Sequence, residues 1–353
     1  MKCLILAAGR FGDSQRSQIV EGRQPRLDVF EIADALRADV FDFADVDRST
    51  RPSVRLAARI LSPSAAVATL AFRERHRYDA FFTTGEDIGL PLAALLKAAR
   101  ARCSHTMIAH TLFPAKKRMF FKLGAVADRI DCMLVYASSE ERLAIESLGM
   151  PARKVHRIAY HADERFFRPD PRPPESDLIC AAGQLLRDYE CLVESVRGKP
   201  VRVQIAAGSP WISRSRQPGM TLPSNVSWGR LDRYELRELY ARSAVAVVPI
   251  LQNHYQTGIA TILEMMAMGK CVIATRTHGQ TDTIVDGETG IYVPPHDPRA
   301  LWSAIERALA DPAESARIGL AARRFVEERA GLDRFVANIT DAVRAGHQTR
   351  FGN

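Results

Sequence analysis

The sequence predicts an α/β protein built from two parallel sheets, each covered by helices. Short apolar runs alternate with amphipathic stretches from one end of the chain to the other. At 353 residues the chain is too long for one typical core and suits two domains of similar size. The alternation also restarts after Phe167-Arg-Pro-Asp-Pro-Arg-Pro-Pro-Glu175, where four prolines in six residues forbid a helix and favour an extended linker. The predicted division is 1–168, a linker at 169–176, 177–332, and a last helical segment at 333–353.

In chain order, the first half offers strands at Cys3–Ala7, Val40–Phe43, Ala80–Thr83, Thr106–Ala109 and Cys132–Val135, each a short apolar run. Helical patterns lie between them, at Val29–Leu36, Val54–Phe72, Leu90–Ala101, Lys116–Ala127 and Glu140–Leu148. The second half gives strands at Leu178–Ala182, Val201–Ala206, Val245–Pro249, Cys271–Thr275 and Ile291–Val293. A final helix is predicted at Asp333–Arg344, with Thr349 to Asn353 frayed.

Hydrophobic residues make up 46% and charged residues 25%, the proportions of an ordinary soluble globular protein. The run Met1-Lys-Cys-Leu-Ile-Leu-Ala-Ala-Gly9 is too short for a signal-peptide core and ends in glycine as a first strand would. No stretch approaches membrane-spanning length, and the cytoplasmic location expected rests on six scattered cysteines that suit a reducing compartment. Cys3, Cys103, Cys132, Cys180, Cys191 and Cys271 lack the paired spacings of a zinc site and read as free thiols. A net charge of +8 favours anionic partners but does not choose among phosphorylated substrates, a membrane surface and nucleic acid. Nucleic acid has no support beyond this charge and is not an expected partner.

The densest chemical signal is Tyr255-Gln-Thr-Gly-Ile-Ala-Thr-Ile-Leu-Glu-Met-Met-Ala-Met-Gly269, a glycine-containing loop running into a helix. The free N–H groups of Gly258, Ile259, Ala260 and Thr261 and the helix dipole together make an anion site. Glu264 stands in apolar company and is either a structural acid with a hidden partner or a hook for ligand hydroxyls. His110 closes the fourth strand, at the carboxyl edge where such sheets bind ligands. It ranks ahead of His105, His254 and His278. Gly9-Arg-Phe-Gly12 follows the first strand and permits close backbone approach, although a plain turn explains it equally. Asp45-Val-Asp47 reads as a solvated loop rather than a metal pair. In Lys116-Lys-Arg-Met-Phe-Phe-Lys122, Met119, Leu123 and Val126 are expected to face the core, with Phe120 and Phe121 nearer the rim. A core-packing helix is favoured there over a membrane-surface one.

Gln256…Glu264, then Met-Ala-Met-Gly-Lys-Cys-Val-Ile-Ala-Thr275, then Asp286-Gly-Glu-Thr-Gly-Ile-Tyr-Val-Pro-Pro-His-Asp297, resembles the carboxyl-terminal half of family 4 glycosyltransferases. The likeness extends through Ala159-Tyr-His-Ala-Asp163 and Gly229…Leu236…Tyr240…Ala244…Val248-Pro249, and is weakest before residue 80. Two departures stand out. Gln256 replaces the first family acid, and Gly258 stands two residues after it instead of three. The resemblance implies the GT-B fold, two Rossmann-like domains facing across a cleft, with the last helix crossing back to the first domain.

It further implies a retaining hexosyltransferase active in glycoconjugate biosynthesis, with a nucleotide-sugar donor, UDP-sugar favoured over GDP-sugar. The acceptor would be a glycan, lipid or small molecule, with weak peripheral membrane contact. No obligatory cofactor or metal is implied. Glu264 would bind the ribose, and Arg187 would hold the diphosphate because Gln184 occupies the family's arginine position in Gly183-Gln-Leu-Leu-Arg187. The Ala260–Thr261 amides would share that charge, Gln256 would touch the donor sugar, and His110 would position sugar or acceptor. Two alternatives stand beside this reading: a nucleotide-sugar epimerase of the same fold, and a non-catalytic nucleotide- or glycan-binding protein.

Overall fold

A computed structural model describes residues 1–208 and 221–352. The chain forms two compact units. Unit 1 comprises Met1–Ser17, Arg26–Ile158 and Asp333–Asn353, and unit 2 comprises Gln18–Pro25 and Ala159–Leu332.

Unit 1 is built on a six-stranded, all-parallel sheet. Its strands are β1 (Cys3–Leu6), β2 (Asp39–Phe41), β3 (Ala80–Thr83), β4 (Ser104–Ala109), β5 (Cys132–Val135) and β6 (Val155–Arg157), in the order β2-β1-β3-β4-β5-β6. The register pairs Leu6 with Thr83, Thr83 with Met107 and Met107 with Met133. One sheet face therefore presents Leu4, Leu6, Phe81, Met107 and Met133, all buried under helices Pro63–Arg73, Glu86–Ala98 and Ala115–Gly124. The expected Val54–Phe72 helix is two helices, Pro52–Ile60 and Pro63–Arg73. Pro63 cannot continue the first, and the Ser62 hydroxyl accepts from the Ala65 amide at 3.1 Å to start the second.

The basic helix also differs from expectation. Phe121 is buried with Val126, whereas Met119 and Leu123 are 58% and 80% exposed. Lys117 and Phe121, four apart on one face, turn inward, and that rotation forces Met119 and Leu123 out. The last helix runs from Leu332 to Phe351, so Thr349 and Arg350 are helical where fraying was expected, and Asn353 lies outside the described residues. Arg350 anchors it, its Nε donating to both oxygens of the buried Asp131 at 2.9 Å.

Unit 2 holds β7 (Glu175–Ala182), β8 (Arg202–Ala206), β9 (Val226–Gly229), β10 (Ser243–Val248), β11 (Val272–Thr275) and β12 (Ile291–Val293), all parallel, in the order β12-β11-β10-β7-β8-β9. Cys180, Ala246 and Val248 pack on one face, and Ile179, Val245 and Val247 on the other. Residues 159–167 belong to this unit because Phe166 and Phe167 are buried in its core. Arg323 also reaches the carbonyls of Glu164 and Phe167 at 3.0 and 2.8 Å.

The strand order reverses between β7 and β10, and in an open parallel sheet the loops leaving such a pair diverge at their carboxyl ends and leave a crevice for ligands. These are the loops that carry Gly183–Arg187 and Pro249–Gly258. In unit 1 the equivalent reversal lies between β1 and β3.

Candidate functional site

The two switch-point loops of unit 2 are stitched together. Leu251 N–H donates to Leu186 O at 2.9 Å, Asp188 N–H donates to Pro249 O at 3.0 Å, and Arg187 pairs with Ile250 in an isolated bridge. Arg187 folds back over this seam. Its Nε donates to Ala182 O at 3.0 Å, Nη1 to Leu185 O at 2.8 Å and Nη2 to Thr261 Oγ1 at 3.2 Å. All three acceptors are neutral. No carboxylate lies within ion-pair distance of Arg187 among the described residues, and the surface pairing with Asp188 or Glu190 weighed from sequence does not form. Asp188 instead caps helix Tyr189–Val196 and pairs with His296 at 2.7 Å. Burial lowers the guanidinium's pKa, with the Glu264 charge among the influences opposing it. The result is a cation held in place without a matching anion, which is how a phosphate site looks when built from side chain and backbone.

Both glycines of the predicted site pack against that guanidinium. Gly183 has φ +97°, and a Cβ there would collide with Arg187. Gly258 has φ +87°, and a Cβ would lie 3.3 Å from Nη1 and 3.2 Å from Ile250 Cδ1. Gly258 is also the N-cap of helix Ile259–Ala267, so its left-handed backbone turns the chain into the helix while leaving room for the arginine. The first intrahelical bond recorded there is Ile262 N–H to Gly258 O at 2.9 Å. The amides of Ala260 and Thr261 stand ahead of it, at the positive end of the helix dipole.

Glu264 is buried, and it has the hidden partner that the sequence left open. Oε1 accepts from Arg233 Nη1 at 3.0 Å and Oε2 from the Tyr240 hydroxyl at 3.3 Å. Both partners come from helix Arg233–Arg242. Burial pushes the Glu264 pKa up, and the Arg233 charge is the largest influence pulling it back. Two hydrogen bonds leave about half of a carboxylate's lone-pair sites available, so this pairing does not preclude a ligand hydroxyl. Sequence reasoning missed Arg233. The signal available was the Asp232-x-x-Glu235 capping box that opens its helix and places Arg233 at the first helical position.

Gln256 is half-buried, and its Oε1 is buried with no hydrogen-bond partner among the described residues. Its loop is clamped from below. The Asn253 side chain accepts from Tyr255 N–H at 3.0 Å, and buried Gln280 donates to Thr257 O at 3.2 Å. His254 and His278 form an exposed stacked pair, centroids 5.1 Å apart and 12° from parallel.

In unit 1, His110 ends at the exposed carboxyl edge of β4. Its Nε2–H donates to Thr84 O at 2.8 Å. His105 is fully buried at the opposite end of β4, bonded to Thr83 Oγ1 at 3.1 Å, and burial drives its pKa down to about 3. Gly9 is buried, and its carbonyl accepts from Phe43 N–H at 3.0 Å. Gly12 is exposed, with nothing within 4 Å of where a Cβ would stand. Asp45 and Asp47 lie on helix Phe43–Arg48 and not in a loop. Asp45 completes a capping box with Asp42 and pairs with Arg48, and Asp47 pairs with Arg10 at 2.8 Å.

Comparison with known proteins places this chain among glycosyltransferase-like sequences and folds. Residues 184–311 match the family described as Glycosyl transferases group 1. A D-inositol 3-phosphate glycosyltransferase from Nocardiopsis dassonvillei is 29% identical over 221 residues, covering 60% of this chain and 48% of that protein. A glycogen synthase from Mycobacterium tuberculosis is 27% identical over 148 residues, so the chain spans about half or less of these two relatives. A GDP-mannose-dependent phosphatidylinositol monomannoside mannosyltransferase from Mycolicibacterium smegmatis is 25% identical and is covered over 80% of its length, against 79% of this chain. Among solved structures, a sucrose-phosphate synthase from Thermosynechococcus elongatus superposes with a TM-score of 0.71 at 18% identity, covering 98% of each chain. The Anabaena protein Alr3699/HepE, solved with UDP-glucose, gives 0.72 at 14% identity over 97% of this chain and 99% of its own. The chain has the GT-B fold, two Rossmann-like units, and its residues 184–311 carry the group 1 glycosyl transferase pattern.

Proposed function

We propose that this protein is a retaining glycosyltransferase that moves a hexose from a nucleoside-diphosphate sugar, a UDP-sugar in preference to a GDP-sugar. The single observation carrying the reading is Arg187, an unpaired guanidinium cradled by Gly183 and Gly258 at the start of helix Ile259–Ala267. A diphosphate supplies the anion that this site lacks. Arg187 and the Ala260–Thr261 amides stabilise the charge growing on the leaving phosphate, at fixed positions that need no reorganisation during reaction. Glu264, oriented by Arg233 and Tyr240, takes the ribose hydroxyls. The unpartnered Gln256 oxygen meets a sugar hydroxyl, and the exposed His110 ring positions the sugar or acceptor. Since the departing phosphate itself takes up the acceptor proton, no separate nucleophile and base are required.

The test is a thermal-shift screen of the whole protein against UDP-, GDP- and ADP-sugars, followed by product analysis with and without added acceptor. Stabilisation by one donor family with transfer to acceptor supports the reading. Epimerised donor without acceptor, or binding without slow donor hydrolysis, overturns it in favour of an epimerase or a binding protein.

A lipid acceptor, reached from the cytoplasmic side by peripheral contact, is favoured by unit 1. Helix Ala115–Gly124 exposes Met119, Phe120 and Leu123 beside Lys116, Arg118 and Lys122. Helix Pro52–Ile60 and the residues flanking it expose Leu56, Ile60 and Leu61 beside Arg51, Arg55 and Arg59.

A further inference from the structure

The loop that carries His110 is held in an unusual way. Its three successive amides are gripped by two buried carboxylates. His110 N–H donates to Glu86 Oε2 at 2.8 Å, Thr111 N–H to Glu86 Oε1 at 3.3 Å and Leu112 N–H to Glu140 Oε2 at 2.9 Å. Glu86 is 2% exposed and Glu140 is 1% exposed. They come from different elements: Glu86 from the first turn of Glu86–Ala98, after β3, and Glu140 from helix Ser138–Arg142, after β5. Lys117 pairs with Glu86 at 2.6 Å and with the exposed Asp87 at 3.1 Å. Lys117 is therefore shared between one buried acid and one exposed one, and Glu140 has no direct ion pair among the described residues. Burying a carboxylate is costly, and neutral acceptors would satisfy three backbone amides more cheaply. Two buried acids here fix a short loop from both sides, and the loop's exposed product is the His110 ring. That ring is pinned by Thr84 O through Nε2 and lies against Tyr136, centroids 5.4 Å apart.

We propose that Glu86 and Glu140 are positioning residues that set the His110 ring for transfer by clamping the backbone of residues 110–112. This rests on the role given to His110 above. Neither acid needs to touch substrate. The clamp is also sensitive to pH. Burial pushes the Glu140 carboxyl up to about 7, and the nearby Glu86 charge adds to this. The Leu112 amide, the Thr111 hydroxyl and the Lys117 charge oppose it. The other charged or titratable groups on the surrounding elements are His110 of the loop, Asp87 beside Glu86, and Lys116, Lys117, Arg118 and Lys122 of the basic helix, and Glu141 and Arg142 adjoin Glu140 on its own helix. An ionised Glu140 accepts more strongly from Leu112 N–H than a protonated one, so the clamp tightens as pH rises through neutrality.

The experiment uses the full-length protein, isotopically labelled, with wild type compared against Glu140→Gln and Glu86→Gln. Glutamine keeps an acceptor oxygen and the side-chain shape, so both variants should fold. The Leu112 amide proton should shift with pH in wild type with a midpoint near neutrality, and should lose that titration in Glu140→Gln. In the transfer assay both variants should lose kcat by about tenfold or more, as displaced catalytic groups do, while nucleotide affinity stays at the wild-type value. The pH dependence of kcat should flatten in Glu140→Gln. A Leu112 amide that does not titrate in wild type, or folded variants with wild-type kcat and pH profile, overturns the proposal. If wild type transfers no sugar at all, the transferase reading fails by itself, and the Leu112 titration still decides whether the clamp exists.

Discussion

At the scale of single residues, the site is defined by charges that are or are not matched. Arg187 has three neutral acceptors and no counter-ion among the described residues, so Arg187→Ala removes the proposed diphosphate contact without exposing a buried partner acid. Turnover should therefore fall more than nucleoside monophosphate binding, and Arg187→Lys should rescue little, because an ammonium cannot reproduce the planar fork. Equal turnover in mutant and parent would end the assignment. Glu264 is the opposite case, a buried acid matched by Arg233. Glu264→Ala should cost at least about tenfold in nucleotide affinity if it binds ribose, since hydrogen bonds to charged groups are worth about 1.5–3 kcal/mol each.

Glu140 gives a stability prediction of definite sign. Its folded pKa of about 7 lies above the ordinary 4.5, so the fold binds an extra proton as pH falls. The ionised form then costs stability that is fully felt above about pH 7 and disappears as pH drops towards the unfolded value. Glu140→Gln, which cannot ionise, should gain stability relative to wild type at pH 8 but not at pH 4, by at most about 3 kcal/mol. Denaturant melts at the two pH values measure this, and a variant that gains nothing at the higher pH would refute the buried charge. Gln256 and Glu264 could be named from the sequence because they sit in one short pattern, and Arg187 because it stands in a second, Gly183–Arg187. Arg233, Glu86 and Glu140 could not, because their partners lie 31, 24 and 28 residues away and meet them only in the fold.

Whole elements were read more easily than their ends. Among the described residues ten of the twelve strands were visible as apolar runs, eight of them central strands buried on both faces and two, β2 and β12, at sheet edges. Val155–Arg157 and Val226–Gly229 were missed because they are short edge strands, with His156, Arg157 and Ser227 exposed, and carry no apolar run. The inward face of helix Ala115–Gly124 was misjudged for a related reason. Three large apolar residues within it, Met119, Phe120 and Leu123, stay outside, so apolar periodicity could not identify the buried face. The glycines separate by the same logic. Gly258→Ala must adopt φ +87° and crowd Ile250, Val248 and Arg187, so it should lose about 1–2 kcal/mol and weaken donor binding together. Gly12→Ala meets nothing and should stay within about 0.5 kcal/mol of wild type. A fall in activity for Gly12→Ala at unchanged stability would show that a ligand approaches this backbone. No change in either would leave it a plain turn.

Across the whole molecule, charge is divided unequally. Unit 1 carries 27 Lys and Arg against 19 Asp and Glu, while unit 2 carries 22 of each, so the net +8 resides entirely in unit 1. A donor-binding role alone does not require this, because the proposed diphosphate site lies in the neutral unit. The excess coincides with two helices, Pro52–Ile60 and Ala115–Gly124, that set exposed apolar side chains beside Arg and Lys. Both belong to the helical layer on one face of the unit 1 sheet. Among the described residues no helix is long and apolar enough to cross a membrane, so contact of this kind would be with the surface.

Each basic side chain near an anionic leaflet contributes about 1 kcal/mol and is screened within a Debye length, so the attraction should be weak and sensitive to salt. The protein should co-sediment with vesicles containing phosphatidylglycerol and not with phosphatidylcholine alone, and raising the salt should release it. Replacing Met119, Phe120 and Leu123 together by serine removes apolar area without changing charge or touching the core. That variant should lose vesicle binding and transfer to a lipid acceptor, yet keep its stability and its nucleotide affinity. If it binds vesicles as well as wild type does, the ridge is an ordinary exposed surface, and the charge of unit 1 must serve a soluble anionic acceptor instead.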